Sequence, residues 1–139
     1  MLYAERYHDI SCGHRVCGHD GKCAHLHGHN YRIHFVCESP ELDRLGRVID
    51  FSVIKERLCA WVEERWDHRF LLWEDDPLAG QLARIERTLV LLPFNPTAEN
   101  MARYLVEVIG PDVLIGTAAR LVRVTVEETA KCSATYAAS

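Results

Sequence analysis

Residues 27–38 read HGHNYRIHFVCE. Successive side chains of a strand point to opposite faces, so a period of two marks a half-buried strand. His27, His29, Tyr31, Ile33, Phe35 and Cys37 would share one face, with Gly28, Asn30, Arg32, His34, Val36 and Glu38 on the other. The same parity sends the imidazoles of His27 and His29 to one side, where one ion could take both. Gly28 between them leaves the opposite face open.

Upstream, Arg15 to Leu26 carries Gly18 and Gly21 among polar residues and reads as a loop. Leu2 to Cys12 reads as a strand, so His14 lies at its end and a hairpin would bring it beside His27 and His29. Three neutral imidazoles with a position left open make a catalytic zinc site, not a closed structural one. Of the eight histidines only His68 lies outside the stretch from His8 to His34.

Downstream, Ser39 to Arg47 turns, with Pro40 and Gly46 as punctuation. Asp50 is an expected N-cap for a helix whose face is Ile54, Leu58, Trp61, Val62 and Arg65. Leu89 to Leu92 is a short apolar strand end, and Pro96-Thr97 opens a second helix with Met101, Tyr104, Leu105 and Val108 on one face. Gly110-Pro111 is expected to stop it. Arg120 to Glu128 alternates again, with Val122, Val124, Val126 and Glu128 pointing one way, and Ser133 to Tyr136 would finish a hairpin. This order predicts a single α+β domain, residues 1–139, built on an antiparallel sheet.

A formal charge of -4, from 16 basic and 20 acidic residues, argues against a nucleic-acid partner. No apolar run approaches the roughly 20 residues of a membrane-crossing helix. Met1 to Ile10 carries Glu5, Arg6, His8 and Asp9, unlike a secretion signal. The six cysteines include no CxxC pair and are expected to be reduced thiols of a cytoplasmic protein.

Four further residues could carry chemistry. Cys23 could be a fourth zinc ligand or a free thiolate near the metal, with Cys12 and Cys17 as rivals. Asp67-His68 follows the first helix as a proton relay or a mere helix terminus; neighbours in sequence are not expected to bond each other readily. Glu128 is either a solvated charge or an acceptor for paired N–H donors such as those of a guanine-like ring, and Glu127 should point to the other face.

The segments CGHRVCGHDGKCAHLHGHNY at 12–31, IDF at 49–51, DHRFL at 67–71, PTAEN at 96–100 and VEETAKCSATY at 126–136 span nearly the whole chain. In this order they resemble the family of 6-pyruvoyl-tetrahydropterin and 6-carboxy-tetrahydropterin synthases. The resemblance implies a tunnelling fold: a four-stranded antiparallel sheet with two helices on one face. It also implies an oligomeric β-barrel closed by three subunits, with trimers stacking into hexamers and active sites lying between subunits. His14, His27 and His29 match the family's zinc ligands, and Cys23 matches its catalytic cysteine. Asp67 and His68 match the relay that completes it from a neighbouring subunit, and Glu128 matches the carboxylate that anchors the pterin.

The implied substrate is 7,8-dihydroneopterin triphosphate, with Lys22 or Arg15 as cations for the triphosphate. Only three residues separate Cys23 from HGH, as in the carboxy-forming enzymes; pyruvoyl synthases of the animal type carry a longer gap. The implied products are 6-carboxy-tetrahydropterin, acetaldehyde and triphosphate, on the precursor route to deazapurines such as queuosine. The alternatives are a pyruvoyl synthase, a paralogue acting on a related pterin, a zinc-stabilised pterin-binding module with Cys23 as ligand, and a metal-free cysteine hydrolase. Trp66 stands where many relatives carry leucine, and His19 and Cys17 are particular to this chain's loop.

Overall fold

A computed structural model describes all 139 residues. Strand β1 (Tyr3–His14) pairs antiparallel with β2 (His27–Glu38) along its whole length, from Tyr3 opposite Glu38 to His14 opposite His27. β2 has the limits its alternation predicts, and β1 runs two residues farther than expected, which places His14 inside the sheet. β5 (Arg120–Thr129) pairs antiparallel with β2, and β6 (Cys132–Ala137) antiparallel with β5. These four strands form the antiparallel sheet that the resemblance implies.

The sheet is larger than four strands. β3 (Phe70–Trp73) lies parallel to the end of β1, and β4 (Val90–Leu92) parallel to β3, so the order is β4-β3-β1-β2-β5-β6. β3 escaped the sequence reading because FLLW is an unbroken apolar run with no alternation. A short helix α2 (Ala79–Ile85), without a buried residue, also went unread.

The long helices cover one face of the sheet. α1 begins as Phe51–Ile54, passes through a π-helical turn at Lys55–Cys59 and resumes as Ala60–Arg65. α3 repeats the plan: Ala98–Tyr104, a π turn at Leu105–Ile109, then Gly110–Val113. Asp50 caps α1 by accepting the Ser52 N–H, and Thr97 caps α3 by accepting the Asn100 N–H. Each π turn adds one residue to the helix and moves the apolar stripe along by one position. Hence Trp66 is buried while Arg65 is exposed, and Ile109 is buried while Val108 is exposed, against the regular spacing.

Gly110-Pro111 does not end α3. The Gly110 N–H reaches back five residues to the Leu105 carbonyl, and the helix continues through Pro111 to Val113. Gly110 serves close packing instead: a Cβ there would lie 2.9 Å from Leu121 Cβ on β5.

One core joins both helices to the sheet, with Ile33 and Phe35 of β2, Leu58 and Val62 of α1, Met101 and Leu105 of α3, and Val124 of β5. Each such side chain contributes about 1.5–3 kcal/mol by leaving water. Trp66 belongs to this core, edge-on to Trp61 at 5.3 Å, and so faces the interior.

Candidate metal centre and proton-transfer residues

The apolar face of the sheet ends in histidines. His14 closes β1 and is buried, while His27 and His29 open β2 and are half-buried, so the group grades from core to surface. Their ligand atoms all lie within 4.8 Å of one another.

Backbone carbonyls set the ring orientations. His14 Nδ1 donates to the Pro96 carbonyl at 2.7 Å, and His27 Nδ1 donates to the His25 carbonyl at 2.7 Å. A carbonyl can only accept, so each Nδ1 carries the proton and each Nε2 presents a lone pair. Those two Nε2 atoms face each other at 3.1 Å. His29 Nε2 is buried without a hydrogen-bond partner. Lone pairs so arranged repel unless a cation lies between them. Nitrogens bound tetrahedrally to zinc at about 2.0–2.1 Å sit roughly 3.3 Å apart, close to this spacing.

Desolvation lowers the His14 and His29 pKa values and so favours the neutral imidazoles a metal needs. Carbonyls that hold the distal nitrogens are the usual outer support of metal-binding histidines. The Tyr31 hydroxyl, also buried, stands 3.3 Å from His14 Nε2. The donor set therefore fits a zinc ion.

Glu128 stands at this cluster: its carboxylate oxygen is 3.5 Å from His14 Nε2 and 3.7 Å from His29 Nε2. Glu127 turns to the opposite face and pairs with His34, as parity requires.

Cys23 lies half-buried in a 3-10 turn, Lys22–Ala24, on the loop that joins His14 to His27. Of the rival thiols, Cys12 is buried in the core, and burial pushes its pKa up to about 12, which removes it as a base. Cys17 lies on the same loop as Cys23, its backbone held by Asn95. Arg15 is engaged within the chain. Its Nε donates to buried Asp76 at 2.6 Å and its Nη1 to the Ala24 carbonyl at 3.1 Å.

Asp67 and His68 do bond each other, against the expectation for sequence neighbours: His68 Nδ1 donates to Asp67 Oδ2 at 2.8 Å. Left-handed backbone at His68, φ 57°, folds the ring back onto the carboxylate. The other oxygen, Asp67 Oδ1, accepts the Ser11 N–H at 2.8 Å, and the Ser11 carbonyl accepts the His68 N–H at 2.6 Å. Burial acts to raise the Asp67 pKa, but the hydrogen bonds from Ser11 and His68 hold it below the usual range.

This pair lines a cleft of about 570 Å³ with Asp9, Ser11, Asn30 and Arg32. The His68 side chain is 83% exposed, and Asp67 is its ring's only partner in the chain. The structure thus gathers His14, His27, His29 and Glu128 and sets Cys23 on the adjoining loop, while Asp67-His68 stand apart as a preformed, outward-facing unit. The carbonyls of Pro96 and His25 went unread, because backbone acceptors leave no residue-type signal.

The family model for 6-pyruvoyl tetrahydropterin synthase matches residues 3–139. A 6-carboxy-5,6,7,8-tetrahydropterin synthase of Rickettsia felis is 35% identical over 136 residues, which is 95% of this chain and 97% of the relative. Its counterpart in Haemophilus influenzae is 32% identical over 113 residues, 76% of this chain and 79% of the relative. Among solved structures, an uncharacterized protein of Wolinella succinogenes superposes with a TM-score of 0.83 at 25% identity, covering 98% of this chain and 97% of that one. The 6-pyruvoyl tetrahydropterin synthase of Caenorhabditis elegans superposes with a TM-score of 0.67 at 28% identity, covering 99% and 96%. The family model and the relatives cover nearly the whole chain, and the chain belongs to the 6-pyruvoyl tetrahydropterin synthase family.

Proposed function

We propose that the protein is a zinc-dependent lyase that converts 7,8-dihydroneopterin triphosphate and water into 6-carboxy-5,6,7,8-tetrahydropterin, acetaldehyde and triphosphate. The observation that carries this reading is the set of converging histidine lone pairs, with Cys23 on the loop that joins His14 to His27. It stands in a chain 35% identical to a 6-carboxy-tetrahydropterin synthase over 95% of its length. His14, His27 and His29 would hold the zinc, which when bound supplies Lewis-acid polarisation of substrate side-chain oxygens.

Cys23, as thiolate, takes a carbon-bound proton from the substrate side chain. His68 has its Nδ1 committed to Asp67, which leaves Nε2 free to accept or return a proton. The Asp67-His68 pair faces outward and makes no hydrogen bond to Cys23 in its own chain, which supports a role for it at the site of a neighbouring subunit. Glu128 would accept paired N–H donors of the pterin ring and so direct the substrate side chain toward the three histidines. β4 and β6 leave both sheet edges open, and closure of three subunits into a barrel, as a trimer or a stacked hexamer, would cover them. The free state of all six cysteines favours a reducing compartment, the cytoplasm. The product would feed the precursor route to deazapurines such as queuosine. No helix is long and apolar enough to cross a membrane.

The second reading, a 6-pyruvoyl synthase, has the nematode structure on its side, but the short spacing from Cys23 to His27 favours the carboxy product. The zinc-loaded protein should be incubated with dihydroneopterin triphosphate and its products separated by chromatography and mass spectrometry. Acetaldehyde with 6-carboxy-tetrahydropterin is expected. A pyruvoyl product without acetaldehyde would move the protein to the second reading, and pterin binding without turnover to a binding module. Light scattering of the same sample should give a trimer or hexamer; a stable monomer would contradict the shared site.

A further inference from the structure

We propose that Asn95 is a positioning residue that sets where the Cys23 thiol stands relative to the metal ligands, an inference that rests on the reading of Cys23 as the base at that site.

The Asn95 amide grips one residue of the loop, Cys17, at two points. Its Oδ1 accepts the Cys17 N–H at 3.0 Å, and its Nδ2 donates to the Cys17 carbonyl at 2.8 Å. A side-chain amide offers a donor and an acceptor side by side, as one strand offers them to another. The grip passes on to the thiol's own residue, because Val16, next to Cys17, donates its N–H to the Cys23 carbonyl at 2.8 Å.

The following residue serves the metal centre. The Pro96 carbonyl accepts His14 Nδ1–H at 2.7 Å. Asn95 and Pro96 are in turn fixed to the start of α3: the Asn95 carbonyl accepts from Thr97 N at 2.7 Å and from Asn100 Nδ2 at 3.0 Å. One dipeptide, anchored to a long helix, is therefore the common reference for a metal ligand and for the loop that carries the thiol.

A second anchor keeps the loop from unfolding when this one is removed. Arg15, held by buried Asp76, grips the Ala24 carbonyl beside Cys23. The His25 carbonyl is tied to His27. Loss of Asn95 should therefore displace the thiol and leave the three histidines in place. A shift of about 1 Å in a reacting group costs on the order of a hundredfold in rate.

The test compares wild type, Asn95→Ala and Asn95→Asp, each with zinc and after chelation. Asn95→Asp is the same size but sets a carboxylate oxygen against the Cys17 carbonyl, and it decides the question should the alanine variant fold poorly. Alkylation of Cys23 by iodoacetamide is followed by mass spectrometry of its peptide, beside zinc content, kcat and KM. In wild type, zinc should speed alkylation several-fold, because a nearby cation favours the thiolate. In both variants that dependence on zinc should vanish with one zinc per chain retained. Their kcat should fall by about 30- to 100-fold while KM changes less than about threefold. A variant that keeps the wild-type dependence on zinc, or that loses its zinc, overturns the proposal. Absence of turnover in wild type would overturn the proposed function instead, and alkylation would still decide the role of Asn95.

Discussion

His29 and His34 lie on the same strand, but parity puts them on opposite faces of the sheet, and their surroundings differ in kind. His34 meets carboxylates on both ring nitrogens, Glu5 on Nδ1 and Glu127 on Nε2. His8 likewise sets Nε2 against Glu63 at 2.6 Å. A carboxylate takes an N–H, so these rings offer no lone pair in that direction. At the other site His14 and His27 give their protons to backbone carbonyls and direct lone pairs at each other, and His29 Nε2 has no partner. Richness in histidine is common to both regions. What separates them is whether a carboxylate hydrogen-bonds the outward nitrogen: it does at His34 and His8, whereas Glu128 stays 3.5 Å from His14 Nε2 and 3.7 Å from His29 Nε2.

The most severe test of that difference is a pair of single substitutions. His29→Ala should lower zinc from one per chain to below about a tenth and abolish turnover, because a two-histidine site lacks the ligands for zinc. His34→Ala should keep full zinc. Elemental analysis after gel filtration decides it, and loss of zinc from both variants would erase the distinction between the two faces.

Adjacent glutamates sharpen the same comparison. Glu128 stands by the histidine cluster and Glu127 by His34. Glu128→Gln should weaken pterin binding by about 2–3 kcal/mol, the worth of a charged hydrogen bond, since the amide presents a donor to a donor. Glu127→Gln should leave binding nearly unchanged. Equal affinities in fluorescence titration would make Glu128 a surface charge.

The smallest effect belongs to Asp67. Its folded pKa lies below the ordinary 3.8. As pH falls, the unfolded chain takes up this proton first. The stabilisation is thus present above about pH 4 and lost as pH drops through the folded value. In chelator-treated protein, the stability gap between wild type and Asp67→Asn should narrow as pH falls below about 4. A constant gap in urea unfolding would show that the carboxylate gains nothing from its bonds to Ser11 and His68.

Much of this arrangement was legible in the sequence because strands obey parity. The limits of β2, the shared side of His27 and His29, and the opposite senses of Glu127 and Glu128 all follow from a period of two. Helical faces were read less well, because no residue type announces a π turn: both stripes slip by one residue, from Arg65 to Trp66 and from Val108 to Ile109. β3 was hidden by its uniform apolarity. The bond between Asp67 and His68 depends on a left-handed φ at a histidine, which spacing does not encode. The resemblance to a known family supplied the roles of Cys23, Asp67 and His68, and geometry alone would have left them open.

How the metal is held decides the role of Cys23, and X-ray absorption at the zinc edge reads it without substrate. Three imidazoles and an open position predict only nitrogen and oxygen neighbours, at about 2.0–2.1 Å, with the same spectrum in Cys23→Ala. A sulfur neighbour at about 2.3 Å that disappears in Cys23→Ala would make the cysteine a structural ligand and contradict its role as a base.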